Sequence, residues 1–183
     1  MSKIDIKSIV LCAFFCALTC VFSIVSIQIQ PIPITMATVA VYFSGVILGP
    51  KYGTASQVVY LIVVLAGLPC TSKLVGGVSA FTGPTAGFLL GYVPMALVIG
   101  LVYYFFKKKF NNSPMQKLGL VLAMVAGTFV CYLCGLIWYM IYSSTNIYSA
   151  FMVCVVPFLI GDIAKIVLVV VSVPKLEKFL KIS

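Results

Sequence analysis

Six long apolar runs, separated by short breaks rich in proline, glycine or lysine, make up most of the chain. The runs do not alternate apolar and polar positions and exceed the length of barrel strands, so we expect each to form an α-helix. A helix needs about 20 apolar residues to cross a bilayer. The pattern predicts an all-α integral membrane protein, a single membrane domain over residues 1–183, with six transmembrane helices at approximately 9–27, 35–48, 53–68, 85–106, 118–142 and 151–173.

Lysines are distributed unequally between the two sides of this predicted bundle. Six spans put both termini on one side, and ten lysines fall there: Lys3, Lys7, Lys51, Lys107, Lys108, Lys109, Lys117, Lys175, Lys178 and Lys181. Only Lys73 falls on the other side, and Lys165 lies inside the sixth span. Because lysine-rich loops stay in the cytoplasm, we predict a multi-pass protein of a prokaryotic-type cell membrane with cytoplasmic N- and C-termini.

Composition excludes several classes of protein. The chain is 63% hydrophobic and 8% charged, whereas soluble domains average about 45–50% apolar and about 25% charged residues. A nucleic-acid partner is therefore not expected despite the net charge of +9, and membrane lipid is the expected surroundings. The chain has no histidine and no GxxxxGK[ST] motif, so we expect neither an enzyme nor a metal site. If the protein accumulates a solute, the energy must come from a partner or an ion gradient.

Asp162 and Lys165 are the ionisable acid and base inside a predicted span. A charge at this depth costs about 2.5–3.5 kcal/mol on insertion scales. The spacing of three residues puts both side chains on one face of a helix. The two groups can simply neutralise each other, but intramembrane charges commonly mark a functional site, and the two interpretations are compatible.

The longest loop and the helix start that follows it form a second candidate site. The loop carries Lys73, Gly77 and Ser79, and Thr82 is a candidate helix cap before Gly83-Pro84-Thr85. Proline suits a first helical turn, and a helix N-terminus presents N–H groups to an anion. The alternative is an ordinary turn followed by a capped helix.

Two further features stand out on the predicted helices. Ala13 and Ala17 are small residues four positions apart, a spacing that lets another helix approach closely. Whether that helix belongs to this chain or to another cannot be read from the pair. Gln57 and Tyr92 are polar positions within spans, and we expect the Gln57 amide to hydrogen bond a neighbouring helix.

Several motifs occur in the same order as in BioY proteins: Pro33-Ile34-Thr35, Gly49-Pro50-Lys51-Tyr52-Gly53, Gly67-Leu68-Pro69, Gly83-Pro84-Thr85-Ala86-Gly87 and Pro157-Phe158-Leu159-Ile160-Gly161-Asp162-Ile163-Ala164-Lys165. The chain thus resembles the biotin-specific substrate-binding (S) components of energy-coupling factor (ECF) transporters. The resemblance implies a six-helix fold that captures biotin from outside, a transmembrane coupling subunit and two ATPase subunits as partners, and no cofactor. It also implies that Ala13 and Ala17 dock the coupling subunit.

Biotin chemistry suits the candidate residues. Asp162 can accept a hydrogen bond from a ureido N–H, and Lys165 can donate to the ureido carbonyl or meet the carboxylate. Ionised biotin with Asp162 gives two negative charges against Lys165, so Lys73 or the helix start would supply further positive potential. The expected biotin-binding residues are Asp162, Lys165, Ser79, Gly77, Gly83, Pro84, Thr85, Tyr92 and Lys73.

Three other functions stay open at this point. The chain can be an S component for another vitamin, or a stand-alone ion-coupled carrier with Asp162 as the relay. It can also be a structural membrane subunit without a ligand.

Overall fold

The computed structural model describes residues 6–28, 32–110 and 114–180, and these residues are mostly helical. The helices are α1 (Ile6–Ile24), α2 (Ala37–Leu65), α3 (Ala86–Lys109), α4 (Pro114–Ser143), α5 (Ile147–Cys154) and α6 (Val156–Leu180). Two short antiparallel strands, β1 (Ser26–Ile27) and β2 (Ile34–Thr35), join α1 to α2. A 3₁₀-helix over Val78–Phe81 interrupts the connection between α2 and α3.

Close packing of α3 on α4 forms the centre of the bundle. The two helices run antiparallel, since Gly91 faces Cys131 and Cys134 near one end and Gly119 faces Phe106 near the other. Small residues permit this approach, as is common between helices in membranes. α2 packs mainly on α3, and α1 packs on α2, whereas α6 makes fewer contacts with the bundle.

A sharp reversal divides α2 into two arms, 37–48 and 50–65. Gly49 has a φ of 72° and a ψ of −173°, and Pro50 follows it. The Gln57 amide donates to Ser44 Oγ at 3.0 Å, although a straight helix would hold these residues about 20 Å apart. The two arms therefore fold back on each other, and Gly100 of α3 lies against the Gly49–Pro50 backbone.

The prediction of six transmembrane helices is not supported. In the described part of the chain, four helical segments are long and apolar enough to cross a membrane: Ile6–Ile24, Ala86–Lys109, Pro114–Ser143 and Ile147–Leu176. The predicted spans 35–48 and 53–68 are the arms of α2, each shorter than about 20 residues and joined by a polar reversal. The predicted span 151–173 begins earlier, in α5. Lys3 and Lys181 lie outside the described residues.

A polar cluster holds α1 to both arms of α2. Gln57 is fully buried, and its Nε2 lies 3.4 Å from Thr19 Oγ1, 3.0 Å from Ser44 Oγ and 3.2 Å from Ser56 Oγ. These bonds confirm that the Gln57 amide serves a neighbouring helix. For the N–H groups of this amide, they replace the water that is absent from a bilayer.

Substitution of Gly100 by alanine is expected to destabilise the fold. An added Cβ would lie 2.5 Å from Pro50 N and 2.6 Å from Pro50 Cα, and this backbone cannot move aside as a flexible side chain would. We expect a loss of about 1–3 kcal/mol, measured by thermal unfolding in detergent. Gly161→Ala is the matched control, because its Cβ would meet only Ile34 Cγ2, at 3.7 Å. Equal melting temperatures for Gly100→Ala and the parent would contradict this packing.

Candidate ligand-binding site

A cavity lies between α2, α3, α4 and α6, next to the loop that joins α2 to α3. Its wall combines apolar and aromatic side chains with a few polar groups, as is typical of small-molecule sites. The apolar part includes Ile32, Phe88, Leu89, Met95 and Phe158, and the polar part includes Thr35, Thr38, Ser72, Lys73, Ser79, Thr85, Tyr92, Thr128, Tyr132, Asp162 and Lys165.

The ion pair predicted from the sequence forms one polar end of the cavity. Asp162 and Lys165 are only 4% and 6% exposed. Lys165 Nζ donates to Asp162 Oδ1 at 2.8 Å, and the Tyr132 hydroxyl donates to Asp162 Oδ2. Each carboxylate oxygen thus has a donor, which compensates for the loss of water around the charge.

Helical spacing in α6 directs this pair toward the cavity. Phe158, Asp162 and Lys165 follow at intervals of four and three residues, so they share one face of the helix. Phe158 stacks on Phe88 of α3, with ring centroids 6.1 Å apart. The opposite face, which carries Ile160 and Ile163, is exposed. The aromatic contact therefore fixes which face of α6 points inward.

The second polar end of the cavity comes from the connection between α2 and α3. Ser79 Oγ donates to the Gly76 carbonyl at 2.8 Å. Trp138 Nε1 of α4 donates to the Gly83 carbonyl at 3.0 Å, which ties this segment to the bundle. Lys73 lines the same region. Its ammonium is the cation at this end among the residues that the structure describes.

The start of α3 differs from the prediction. Thr82 was expected to cap the helix, and Pro84 to lie in the first turn. The helix begins at Ala86 with Thr85 as the N-cap, and no side chain caps it. Thr82 Oγ1 instead donates to the Ser79 carbonyl at 3.2 Å. Thr82 is the C-cap residue of the 3₁₀-helix, so Gly83, Pro84 and Thr85 form a turn at the cavity wall.

Eight of the nine predicted binding residues lie together in the cavity wall. They are Asp162, Lys165, Ser79, Gly83, Pro84, Thr85, Tyr92 and Lys73. Gly77 is the exception. It has a φ of 73°, and its N–H donates to the Val64 carbonyl at 2.7 Å. Gly77 therefore turns the loop back toward α2, a conformation that favours glycine.

Sequence reasoning missed part of the polar wall. Tyr132 and Thr128 lie within an apolar run that carries no sign of a ligand. Both side chains line the cavity, and they share one face of α4 because they are four residues apart. Thr128 Oγ1 lies 2.6 Å from the Tyr42 hydroxyl. Helical spacing would have put these two residues on one face, but nothing in the sequence showed that this face met Asp162.

The small-residue pair on α1 lies away from the cavity. Ala13 and Ala17 are exposed, while the buried face of α1 carries Phe15, Cys16, Thr19 and Ser23. Phe14 and Val21 extend the exposed apolar surface around the pair. The pair therefore does not join α1 to the rest of this chain.

The chemistry of the cavity is that of binding. Two polar ends flank an aromatic and aliphatic middle, which suits a ligand with an apolar centre and hydrogen-bonding groups at both ends. Within the ranges 6–28, 32–110 and 114–180, no group of three or more His, Cys, Asp or Glu side chains is arranged to hold a metal ion.

Comparison with known proteins agrees with this arrangement. A probable biotin transporter BioY from Pyrococcus horikoshii is 30% identical over 171 residues, or 93% of this chain and 96% of the relative. Biotin transporter BioY from Thermotoga maritima is 32% identical over 172 residues, or 94% and 96%. A 2.1 Å crystal structure of the S-component for biotin from an ECF-type ABC transporter matches with a TM-score of 0.84 at 26% identity, covering 97% of this chain and 94% of that one.

The profile of the BioY family matches residues 1–182. This match spans nearly the whole chain, and it confirms the resemblance seen in the motifs. The chain belongs to the BioY family.

Proposed function

We propose that this protein captures biotin and mediates its uptake as the S component of an ECF-type ABC transporter. The buried Asp162–Lys165 pair, facing an aromatic cavity with a second polar end, is the observation that carries the proposal. The names of its BioY relatives and the solved biotin S-component support it. In this role the chain is a substrate-binding subunit and not an enzyme.

The ureido ring of biotin fits the Asp162 end. Asp162 accepts a hydrogen bond from one ureido N–H, and Lys165 donates to the ureido carbonyl. A carboxylate offers about four acceptor positions, so Asp162 can bind the ligand without releasing Lys165 or Tyr132. The Tyr132 hydroxyl orients the carboxylate, and the rings of Phe88 and Phe158 cover the apolar part of the ligand.

The carboxylate of biotin fits the other end of the cavity. Lys73 supplies a cation there, and the Ser79 hydroxyl and the turn formed by Gly83, Pro84 and Thr85 add polar groups. Tyr92 lies along the wall between the two ends. Lys165 and Lys73 then balance the two negative charges of Asp162 and ionised biotin.

Uptake requires an energy source outside this chain. We assign it to two ATPase subunits, joined through a transmembrane coupling subunit that docks on α1. Ala13 and Ala17 form the docking surface, since they are exposed and small enough for close helix approach. Residues 1–183 act as one domain of the cell membrane, with both termini in the cytoplasm and Lys73 outside.

Substitution of the charged pair should abolish tight binding of biotin. Asp162→Asn turns one acceptor oxygen into a donor opposite a ureido N–H, and Lys165→Ala leaves Asp162 a buried charge without its cation. A cost of about 3 kcal/mol per variant corresponds to an affinity loss of roughly a hundredfold. Titration of purified protein measures it, with thiamin and riboflavin as competitors and melting temperature as the folding control.

Two outcomes would contradict the assignment. Folded variants that bind biotin as the parent does would show that the pair is not the site. A parent protein that binds thiamin or riboflavin but not biotin would identify an S component for another vitamin.

Bulk at the docking surface should uncouple binding from uptake. Ala13→Trp fills the space that the coupling subunit needs, whereas the biotin site lies on other helices. We expect loss of energised uptake and of co-purification with the coupling subunit, with biotin affinity unchanged within about twofold. Val125→Trp, on an exposed position of α4, is the control. Normal uptake by Ala13→Trp would place docking elsewhere, and loss of biotin binding would make Ala13 an internal contact.

Orientation is testable by chemical labelling in whole cells. Single cysteines at positions 73 and 108 are introduced into a cysteine-free variant and treated with a membrane-impermeant thiol reagent. We expect labelling at position 73 and none at 108 until the cells are opened, because the lysine-rich last turn of α3 stays inside. The reverse pattern would invert the topology.

A further inference from the structure

Thr38 carries a buried hydroxyl that has no hydrogen-bond partner among the residues that the structure describes. Among the described residues, Thr38 Oγ1 and Gln57 Oε1 are the buried side-chain polar atoms without a hydrogen-bond partner. Gln57 is part of the polar cluster beside α1, whereas Thr38 lines the ligand cavity. Leaving a polar group in this condition is costly, so each such group calls for an explanation.

Several other polar groups of the cavity wall already have protein partners. Thr128 pairs with Tyr42 at 2.6 Å, and Ser23 pairs with Tyr60 at 2.9 Å. Asp162 accepts hydrogen bonds from Lys165 and Tyr132. A ligand has to share these bonds or replace them, whereas a bond to Thr38 replaces none.

The helix directions show how deep Thr38 lies in the bundle. The first arm of α2 runs parallel to α3, since Gly45 meets Ala96 and the end of the arm meets Gly100. α3 and α4 are antiparallel, so this arm and α4 also run in opposite directions. The hydrogen bond between Tyr42 and Thr128 joins them at one level.

The ion pair lies about one helical turn from the level of the Tyr42–Thr128 hydrogen bond. Four residues, or about 6 Å, separate Tyr42 from Thr38 on α2 and Thr128 from Tyr132 on α4. Because the helices are antiparallel, both steps lead in the same direction, toward the loop between α2 and α3. Tyr132 contacts Asp162 there. Thr38 is therefore level with Asp162, on a different helix.

We propose that Thr38 Oγ1 accepts a hydrogen bond from the second ureido N–H of biotin. This inference rests on the proposed function. The two N–H groups of the ring point in diverging directions, so two acceptors on separate helices are needed to bind both. Asp162 on α6 takes one, and Thr38 on α2 takes the other. The χ1 angle of threonine has staggered wells, and rotation between them changes the direction of the hydroxyl.

The test compares Thr38→Val with Thr38→Ser in the full-length purified protein. Valine keeps the shape of threonine but removes the hydroxyl, so biotin should bind at least about tenfold more weakly. The ligand-free melting temperature should stay the same or rise, because an unsatisfied buried group is gone. Serine should keep the affinity within about threefold. Thr54→Val, in the same helix but outside the cavity wall, should bind biotin as the parent does.

A neutral ligand distinguishes the two ends of the cavity. Biotin amide retains the ureido ring but not the charged carboxylate, so Thr38→Val should weaken biotin and biotin amide by the same factor. Weakening of biotin alone would place Thr38 at the carboxylate and overturn the ring assignment.

Three further results would overturn the proposal. Unchanged biotin affinity in Thr38→Val would remove the contact. Weaker binding together with a lower ligand-free melting temperature would give Thr38 a structural role. Failure of the parent itself to bind biotin would contradict the proposed function and this inference with it, and the parent's behaviour separates that case from the others.

Discussion

A carboxylate in the apolar interior of a membrane protein must be neutralised and hydrogen bonded, and much of this architecture follows from that requirement at Asp162. Lys165 supplies the charge from the same helix, and Tyr132 supplies a second donor from α4. The stacking of Phe158 on Phe88 holds α6 in the orientation that turns this pair inward. The cavity therefore lies where three helices converge on one charged group.

The contacts of Lys165 and Tyr132 with Asp162 also prepare the cavity for a polar ligand. Its ion pair is complete before any ligand arrives, so binding does not have to neutralise Asp162. In the proposed complex, the ligand adds hydrogen bonds to a carboxylate that retains acceptor capacity. A preorganised site of this kind loses little free energy to rearrangement on binding.

Much of this site could be predicted from the sequence, and the parts that could not have identifiable physical causes. Asp162 and Lys165 stood out because charge is costly inside an apolar run. Tyr132 did not, because a hydroxyl in a helix is common and its role depends on which helices are neighbours.

The helix count failed for a similar reason. The two apolar runs on either side of Gly49 were interpreted as separate spans, although they are arms of one element joined by a reversal at the glycine. The composition of the two runs was enough to predict that both are helical. Whether each run crosses the membrane by itself depends on tertiary packing, in which Gly53 and Gly100 lie against the backbone of the first arm and of the reversal. The Gln57 amide was interpreted correctly, since a buried amide needs a partner whatever the fold.

The connection between α2 and α3 is anchored at both ends. The Tyr60 hydroxyl donates to the Cys70 carbonyl at 2.9 Å near its beginning, and Trp138 holds the Gly83 carbonyl near its end. A segment fixed in this way cannot swing as a hinged lid. The stretch between the two anchors, which contains Lys73 and Ser79, is tied as well. The Gln28 amide donates to the Ser72 carbonyl at 2.7 Å, and the Gly77 N–H donates to the Val64 carbonyl at 2.7 Å. This side of the cavity is therefore a braced wall, and a passage through it would require several of these bonds to break together.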